Sequence, residues 1–177
     1  MSETDYRYCP LCRAELAPAE RGGRTRLACP QCSFVHWRNP VPIVAAVVER
    51  AGHVILVRSL GRPATWYGLV AGFLERGEHP EAAVLREVNE ELGLDARLAG
   101  NIGVYAFERL NQVIFAYHVI AEDGPIRLAA DELDDYKEVP LAKLRPWRQG
   151  TGPALRDWLA ARGLHPPVVE FGTPLDL

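Results

Sequence analysis

One stretch, GFLERGEHPEAAVLREVNEELGL from Gly72 to Leu94, constrains the fold more than any other part of the chain. It predicts a loop, a helix and a stop, in that order. Pro80 stands at the helix start, where a missing N–H is harmless and a fixed φ is pre-organised. Residues 81–92 are mostly good helix formers. Gly93 follows the last turn, where a residue able to take positive φ ends a helix. Val84, Val88 and Leu92 recur every four residues, so they form an apolar stripe that needs a core. Glu87, Glu90 and Glu91 stand at i, i+3 and i+4 and project to a common side.

Three carboxylates so close repel one another, and their pKa values rise unless a cation neutralises them. Hard oxygen donors at this density suit Mg²⁺ or Mn²⁺. Such ions grip phosphates, offset developing charge and activate water. The plain alternative is a solvated acidic helix face. Against it stands a longer pattern: Gly72, five residues, Glu78, seven residues, Arg86-Glu87, Val88, any residue, Glu90-Glu91, any residue, Gly93, Leu94. A merely soluble face gives Gly72, Glu78, Arg86 and Gly93 no reason to keep step with the glutamates.

That pattern resembles the Nudix box of the Nudix hydrolases at every position. The resemblance implies a metal-dependent enzyme that cleaves a diphosphate linked to a nucleoside. It implies an α/β fold, an α/β/α sandwich around a mixed sheet. It casts Glu87, Glu90 and Glu91 as ligands of Mg²⁺ or Mn²⁺, with the Gly72 carbonyl, in the loop before the helix, as a further ligand. Glu78 and Arg86 join loop and helix through a charge-assisted pair and, with Gly93, are structural members of the site. Hydrolysis would run by in-line attack of water at one phosphorus, giving two monophosphate-type products such as AMP and a second phosphate ester.

The four cysteines carry the second signal. Cys9 and Cys12 lie in YCPLC, Cys29 and Cys32 in CPQC, a C-x₂-C-x₁₆-C-x₂-C spacing that reads as a zinc site. Two tight knuckles would offer four thiolates to one structural Zn²⁺. The residues between, with Gly22-Gly23 and the run 24–28, predict a short hairpin, hence a small N-terminal zinc ribbon. Two disulfides would need an oxidising compartment. A thioredoxin-like redox motif would not come as two pairs. His36, four residues past Cys32, is expected to pack or face phosphate rather than bind metal. The ribbon region is only slightly basic, which favours a structural module over a nucleic-acid binder.

A chain of 177 residues accommodates one ordinary domain with a small appendage. We expect a zinc ribbon over 1–38, the hydrolase domain over 39–165 and an irregular, proline-rich tail over 166–177. The net charge of -3 offers no attraction to nucleic acid or to an anionic membrane. The N-terminus MSETDYRYCP lacks a signal-peptide layout, and no apolar run is long enough to span a bilayer. A soluble cytoplasmic protein without membrane partners is expected.

After the WRNPVP linker, VPIVAAVVE and HVILVR predict a hairpin of buried strands around Gly52. WYGLVAGFLE reads as a strand into the metal loop. VYAFERL and QVIFAYHVIAE read as strands with Asn111 at their turn, and GPIRL to YKEVP as short edge strands. LAKLRPW and GPALRDWLAARG read as helical.

A four-cysteine ribbon, an NP-x-P linker, strands and the box, over residues 8–140, are similar to the NADH pyrophosphatases. They are also similar to ribbon-bearing members acting on FAD or ADP-ribose. The resemblance implies a dinucleotide or nucleotide-sugar substrate and a homodimer. The Ser-Gln-Pro-Trp-Pro-Phe-Pro signature of NADH pyrophosphatases is absent; Ala106 to Phe115 reads AFERLNQVIF. Asn111 and Gln112 can read a base edge or ribose, and Phe107, Phe115 and Tyr105 can stack on a ring. Trp66 and Tyr67 share that reading, although aromatics in strands are usually core. An acid outside the box is needed in many members, in a Glu-Leu or Glu-Ile pair. Glu132-Leu133 stands at that place, which makes Glu132 a candidate fourth metal ligand or water-positioning base, with Asp131, Asp134 and Asp135 as rivals and a solvated acidic turn as the plain alternative. Two other readings are a hydrolase of NAD-capped RNA and a non-enzymatic nucleotide sensor, although sensors often lose box glutamates and none is lost here.

Overall fold

The computed structural model describes residues 6–175. The first five residues of the expected ribbon and the last two of the expected tail therefore lie outside the described residues. The chain divides into two compact units, residues 1–39 and 40–177.

The first unit is a three-stranded antiparallel sheet of β1 (Ala17–Arg21), β2 (Arg24–Ala28) and β3 (Val35–His36). Gly22 and Gly23 take φ of 60° and 71° at the β1–β2 turn. Two consecutive left-handed residues match the strand twist of a tight hairpin, and glycine reaches them without a Cβ clash.

The second unit is built on β4 (Val41–Arg50), whose residues 43–48 are all buried. An unbroken apolar run suits a strand covered on both faces. β4 pairs in parallel with β8 (Gln112–Ala121) along most of its length. Its other edge is shared. β6 (Val70–Phe73) pairs with Ile43–Ala46, and β5 (His53–Ser59) pairs with Val48–Arg50. β7 (Ala96–Phe107) lies outside β8, and β9 (Leu133–Pro140) outside β5. Apart from β4–β8 every pairing is antiparallel, so the sheet is mixed.

Helices cover both faces. The Val84, Val88 and Leu92 stripe of α1 (Pro80–Leu92) is fully buried against Val44, Ala46 and Val48. Leu155, Trp158 and Leu159 of α2 (Gly152–Ala160) pack against Val47, Val54 and Leu56. The alternation of β4 side chains between these two cores makes the expected α/β/α sandwich. Among the described residues no helix is long and apolar enough to cross a membrane.

Several elements differ from expectation. WYGLVAGFLE is a strand only at β6, preceded by one bridge between Val57 and Gly68. β7 starts at Ala96, well before VYAFERL, because two register shifts and Gly100 and Gly103 break its alternation. Its end curls into a 3₁₀ turn, Glu108–Leu110, before Asn111 at φ 49° turns the chain into β8. GPIRL forms no strand, since the Arg127 and Ala129 N–H groups donate to carbonyls of α1 instead. LAKLRPW shortens to one 3₁₀ turn, Leu141–Lys143. The tail lacks helices but is not loose: Val169 bridges Trp147, and its N–H donates to the Pro146 carbonyl at 2.9 Å.

Candidate active site

The acidic face of α1 is placed by both ends of the helix. At the start, His79 caps it, accepting from the Glu81 N–H at 3.4 Å, with Pro80 in the first turn. At the end, Gly93 takes φ 65° and donates to the Asn89 carbonyl at 2.8 Å. Two further terminal carbonyls are taken up from outside: Arg127 N–H reaches Leu92 O at 2.8 Å and Ala129 N–H reaches Glu91 O at 3.2 Å.

Glu87 and Glu91 are buried, at 8% and 4% exposure. Glu90 is exposed. Gly72 lies in β6 rather than in the loop expected for it, paired with Val44. A Cβ on Gly72 would stand 2.0 Å from Glu87 Cδ, so the bare backbone is what admits that carboxylate.

Arg86 is the cation of this face. Its Nε and Nη2 donate to the two oxygens of Glu78 at 2.8 and 3.0 Å, a bidentate fork. Its Nη1 donates to Glu87 Oε1 at 2.9 Å and to Glu90 Oε2 at 2.7 Å, and Nη2 reaches the Phe73 carbonyl at 3.2 Å. The guanidinium hydrogen bond holds Glu78 below its ordinary pKa. The loop and helix are thus tied through Glu78 and Arg86.

Burial pushes the Glu87 carboxyl up, although Arg86 pulls against it. Glu91 is pushed up to about 8, first by burial and then by the Glu87 charge, while an Ala71 N–H hydrogen bond opposes the rise. The charge of Glu132 raises both Glu87 and Glu91, so this acid lies within electrostatic reach of the pair. Its rivals are engaged elsewhere: Asp134 accepts from Arg58 Nε at 2.6 Å, and Asp135 accepts from the Tyr67 hydroxyl. Asp131 is exposed. Buried carboxyls of this kind fit a hard divalent cation, whose charge, added to that of Arg86, would let them ionise together.

A cleft of about 460 Å³ includes Ala71, whose N–H bonds Glu91, although none of the four glutamates is among its lining residues. Phe107 and Gln112 line it as well. Phe115 points to the opposite face, packed on the core under α1. Asn111 is at the β7–β8 turn, its carbonyl accepting from Val41 N–H at 2.8 Å. Tyr105 packs beside Ile43 and Ile114 and donates to Asp157 at 3.0 Å. Trp66 lines the cleft, whereas Tyr67 is buried. Local pattern missed Arg62, Arg109, Trp147 and Phe171, which also line it. No local signal in the sequence marks these four residues, which are brought together from distant parts of the chain.

In the first unit the ligand atoms of Cys9, Cys12, Cys29 and Cys32 all lie within 4.8 Å of one another. Cys9 and Cys32 sulfurs are 3.6 Å apart, and Cys12 and Cys29 sulfurs 3.4 Å, with all four thiols free. A knuckle is visible at Arg13, φ 64°, whose N–H donates to Cys9 O at 2.9 Å. The Gln31 N–H donates to the Cys29 sulfur at 3.3 Å, a contact that favours the thiolate. The cluster suits a metal ion. His36 is outside it, its ring 4.7 Å from that of Tyr6.

Comparison with known proteins agrees with this geometry. The NUDIX domain family matches residues 39–160. The chain is 27% identical over 166 residues to the NAD-capped RNA hydrolase NudC of Stutzerimonas stutzeri (strain A1501), covering 93% of this chain and 59% of that protein. It therefore spans about three-fifths of that relative's length. Of solved structures, a NUDIX hydrolase from Nitrosomonas europaea superposes with TM-score 0.71 at 21% identity, covering 93% of this chain and 99% of the other. An ADP-ribose pyrophosphatase from Streptococcus suis 89-1591 superposes with TM-score 0.58 at 17% identity, covering 74% and 100%. At these identities the two superpositions speak for the fold.

Proposed function

Because the chain belongs to the Nudix family, we propose that it hydrolyses the diphosphate of a nucleoside diphosphate linked to another group. The substrate would be of the NADH, FAD or ADP-ribose class, and AMP or a similar monophosphate would be released. The observation that carries this reading is the pair of buried glutamates on α1, Glu87 fitted against Gly72 and Glu91 shifted to about 8.

In this reading Glu87, Glu90, Glu91 and the Gly72 carbonyl hold Mg²⁺ or Mn²⁺. When bound, such ions supply positive charge to the diphosphate and make water more acidic. The chain's own residues do the rest. Arg86 fixes the Glu87 and Glu90 carboxylates, and Glu78 fixes Arg86. Glu132 takes the proton of the attacking water. One P–O bond forms to that water as the bridging P–O bond breaks, and the bridging oxygen leaves on the second phosphate. The four cysteines would hold a structural Zn²⁺, a role that suits a reducing compartment such as the cytoplasm.

Similarity to NAD-capped RNA hydrolases supports a second reading, in which the dinucleotide is the 5′ end of an RNA. Contacts to an RNA body would make that affinity fall steeply with salt. A homodimer, implied by the family resemblance, is tested by light scattering. The deciding experiment is a panel of NADH, NAD⁺, FAD, ADP-ribose and NAD-capped RNA with Mg²⁺ or Mn²⁺, products read by mass spectrometry. Release of AMP from at least one member is expected; no turnover of any member would sink the proposal.

A further inference from the structure

The cleft has one wall that the family pattern does not account for. Phe171, in the C-terminal tail, lies edge-on between two indoles, 5.3 Å from Trp66 and 5.4 Å from Trp147 by ring centroids. All three rings line the cleft. Although clamped on both sides, Phe171 remains 40% exposed. Three contacts hold its stretch of tail in place: the Val169–Trp147 bridge, the Arg148–Glu170 ion pair at 2.6 Å, and Gly172. Gly172 takes φ 91°, and a Cβ there would stand 2.4 Å from Trp66 Nε1. The tail is therefore fitted closely to the indole, and its ring is held towards open space.

The cleft also holds two cationic side chains, Arg62 and Arg109, that form no ion pair among the described residues. Gln112 adds a neutral amide. A pre-formed aromatic wall with a few polar groups at its rim suits a flat ring that carries an anionic substituent. At about 460 Å³ the cleft is within the usual size range for small-molecule sites.

We infer that the tail around Phe171, with Trp66 and Trp147, selects the ring-bearing nucleoside half of the substrate. This rests on the hydrolase reading and adds to it a residue that sets affinity. Phe171 is a specificity residue: it does not touch the glutamates that would hold the metal, so it acts on binding rather than on the chemical step.

The test is calorimetric binding of AMP, nicotinamide mononucleotide and ribose 5-phosphate to the full chain without Mg²⁺. Ribose 5-phosphate lacks only the ring. The wild type is expected to bind at least one ring-bearing monophosphate roughly tenfold or more tighter than ribose 5-phosphate, the usual scale of aromatic stacking. Phe171→Ala should erase most of that preference and leave the ribose 5-phosphate affinity unchanged, while Phe171→Tyr keeps it. Gly172→Ala, which displaces Trp66, should weaken it as a second and independent variant. With a cleavable substrate, Phe171→Ala should raise KM and leave kcat within a few-fold of wild type.

A wild type without ring preference, or a folded Phe171→Ala that keeps it, overturns the inference. Ring preference without turnover of any diphosphate would instead overturn the hydrolase reading. Turnover without ring preference would leave that reading standing and remove this one.

Discussion

The carboxylate of Glu87 occupies the space that a side chain on Gly72 would need, with Cδ 2.0 Å from the position of such a Cβ. A strand residue and a helix residue thus share one volume, and only glycine allows it. Gly72→Ala should fold, since the flexible end of Glu87 can swing away, but the carboxylate would leave its place. The expected result is a drop in kcat/KM of about a hundredfold or more, with a raised Mg²⁺ requirement. Little change in unfolding temperature should accompany it. A metal titration of the variant beside a thermal melt checks both.

Glu91 gives the fold a pH dependence of defined sign. Its carboxyl titrates at about 8 in the fold against an ordinary 4.5, so the folded state favours the protonated form. That contribution to stability is complete below about pH 4.5 and is lost as the pH rises towards 8. Protein free of Mg²⁺ and Mn²⁺ should therefore melt at lower temperature across that window. Added Mg²⁺ should recover the loss, most strongly at the upper end. Glu91→Gln should flatten the profile and lower the diphosphatase rate by at least about a hundredfold. An unchanged rate under saturating Mg²⁺ would remove Glu91 from the site.

Glu132 and its neighbours separate by their partners. Asp134 and Asp135 are engaged by Arg58 and Tyr67. Glu132→Gln should lower kcat about a hundredfold, the usual scale for a general base, with a smaller effect on substrate affinity. Asp135→Asn should leave kcat near wild type. The two kcat values decide: only the first should fall.

The thiol cluster makes a claim about composition. Elemental analysis of the purified protein should find one zinc per chain. Cys29→Ser should find less, with limited proteolysis shifted into residues 6–39. A protein that keeps its proteolytic pattern without metal would make the ribbon independent of zinc.

What could be read from sequence followed from short-range rules. The stripe of Val84, Val88 and Leu92 is buried as its spacing requires, and Gly22-Gly23 and Gly93 turn the chain where glycine is needed. The run Ile43 to Val48 shows itself as a strand covered on both faces because nothing polar interrupts it. The failures lie where distant residues decide. Residues 126–128 look strand-like, but the adjoining amides are claimed by α1. β7 hides its start behind two register shifts. Gly72 belongs to a strand because β5 leaves the near half of the β4 edge open to β6. Phe115 and Phe107 look alike in sequence, yet the alternation of their strands sends them to opposite faces. Phe171 has no local pattern at all; its place depends on two indoles far away in sequence.

The amides of Arg127 and Ala129, donating to the last carbonyls of α1, bear on how the protein would lose activity. Fraying of the final helical turn would release Glu91 and unmoor the stretch leading to Glu132 in a single event. The two acids should then report one opening free energy in native-state hydrogen exchange, at the Ala129 amide and at the last turn of α1. Damage to either side should be felt by both, so substitutions at the two should combine non-additively. Warming such a site would leave a mixture of intact and disassembled molecules rather than a population of uniformly weakened ones.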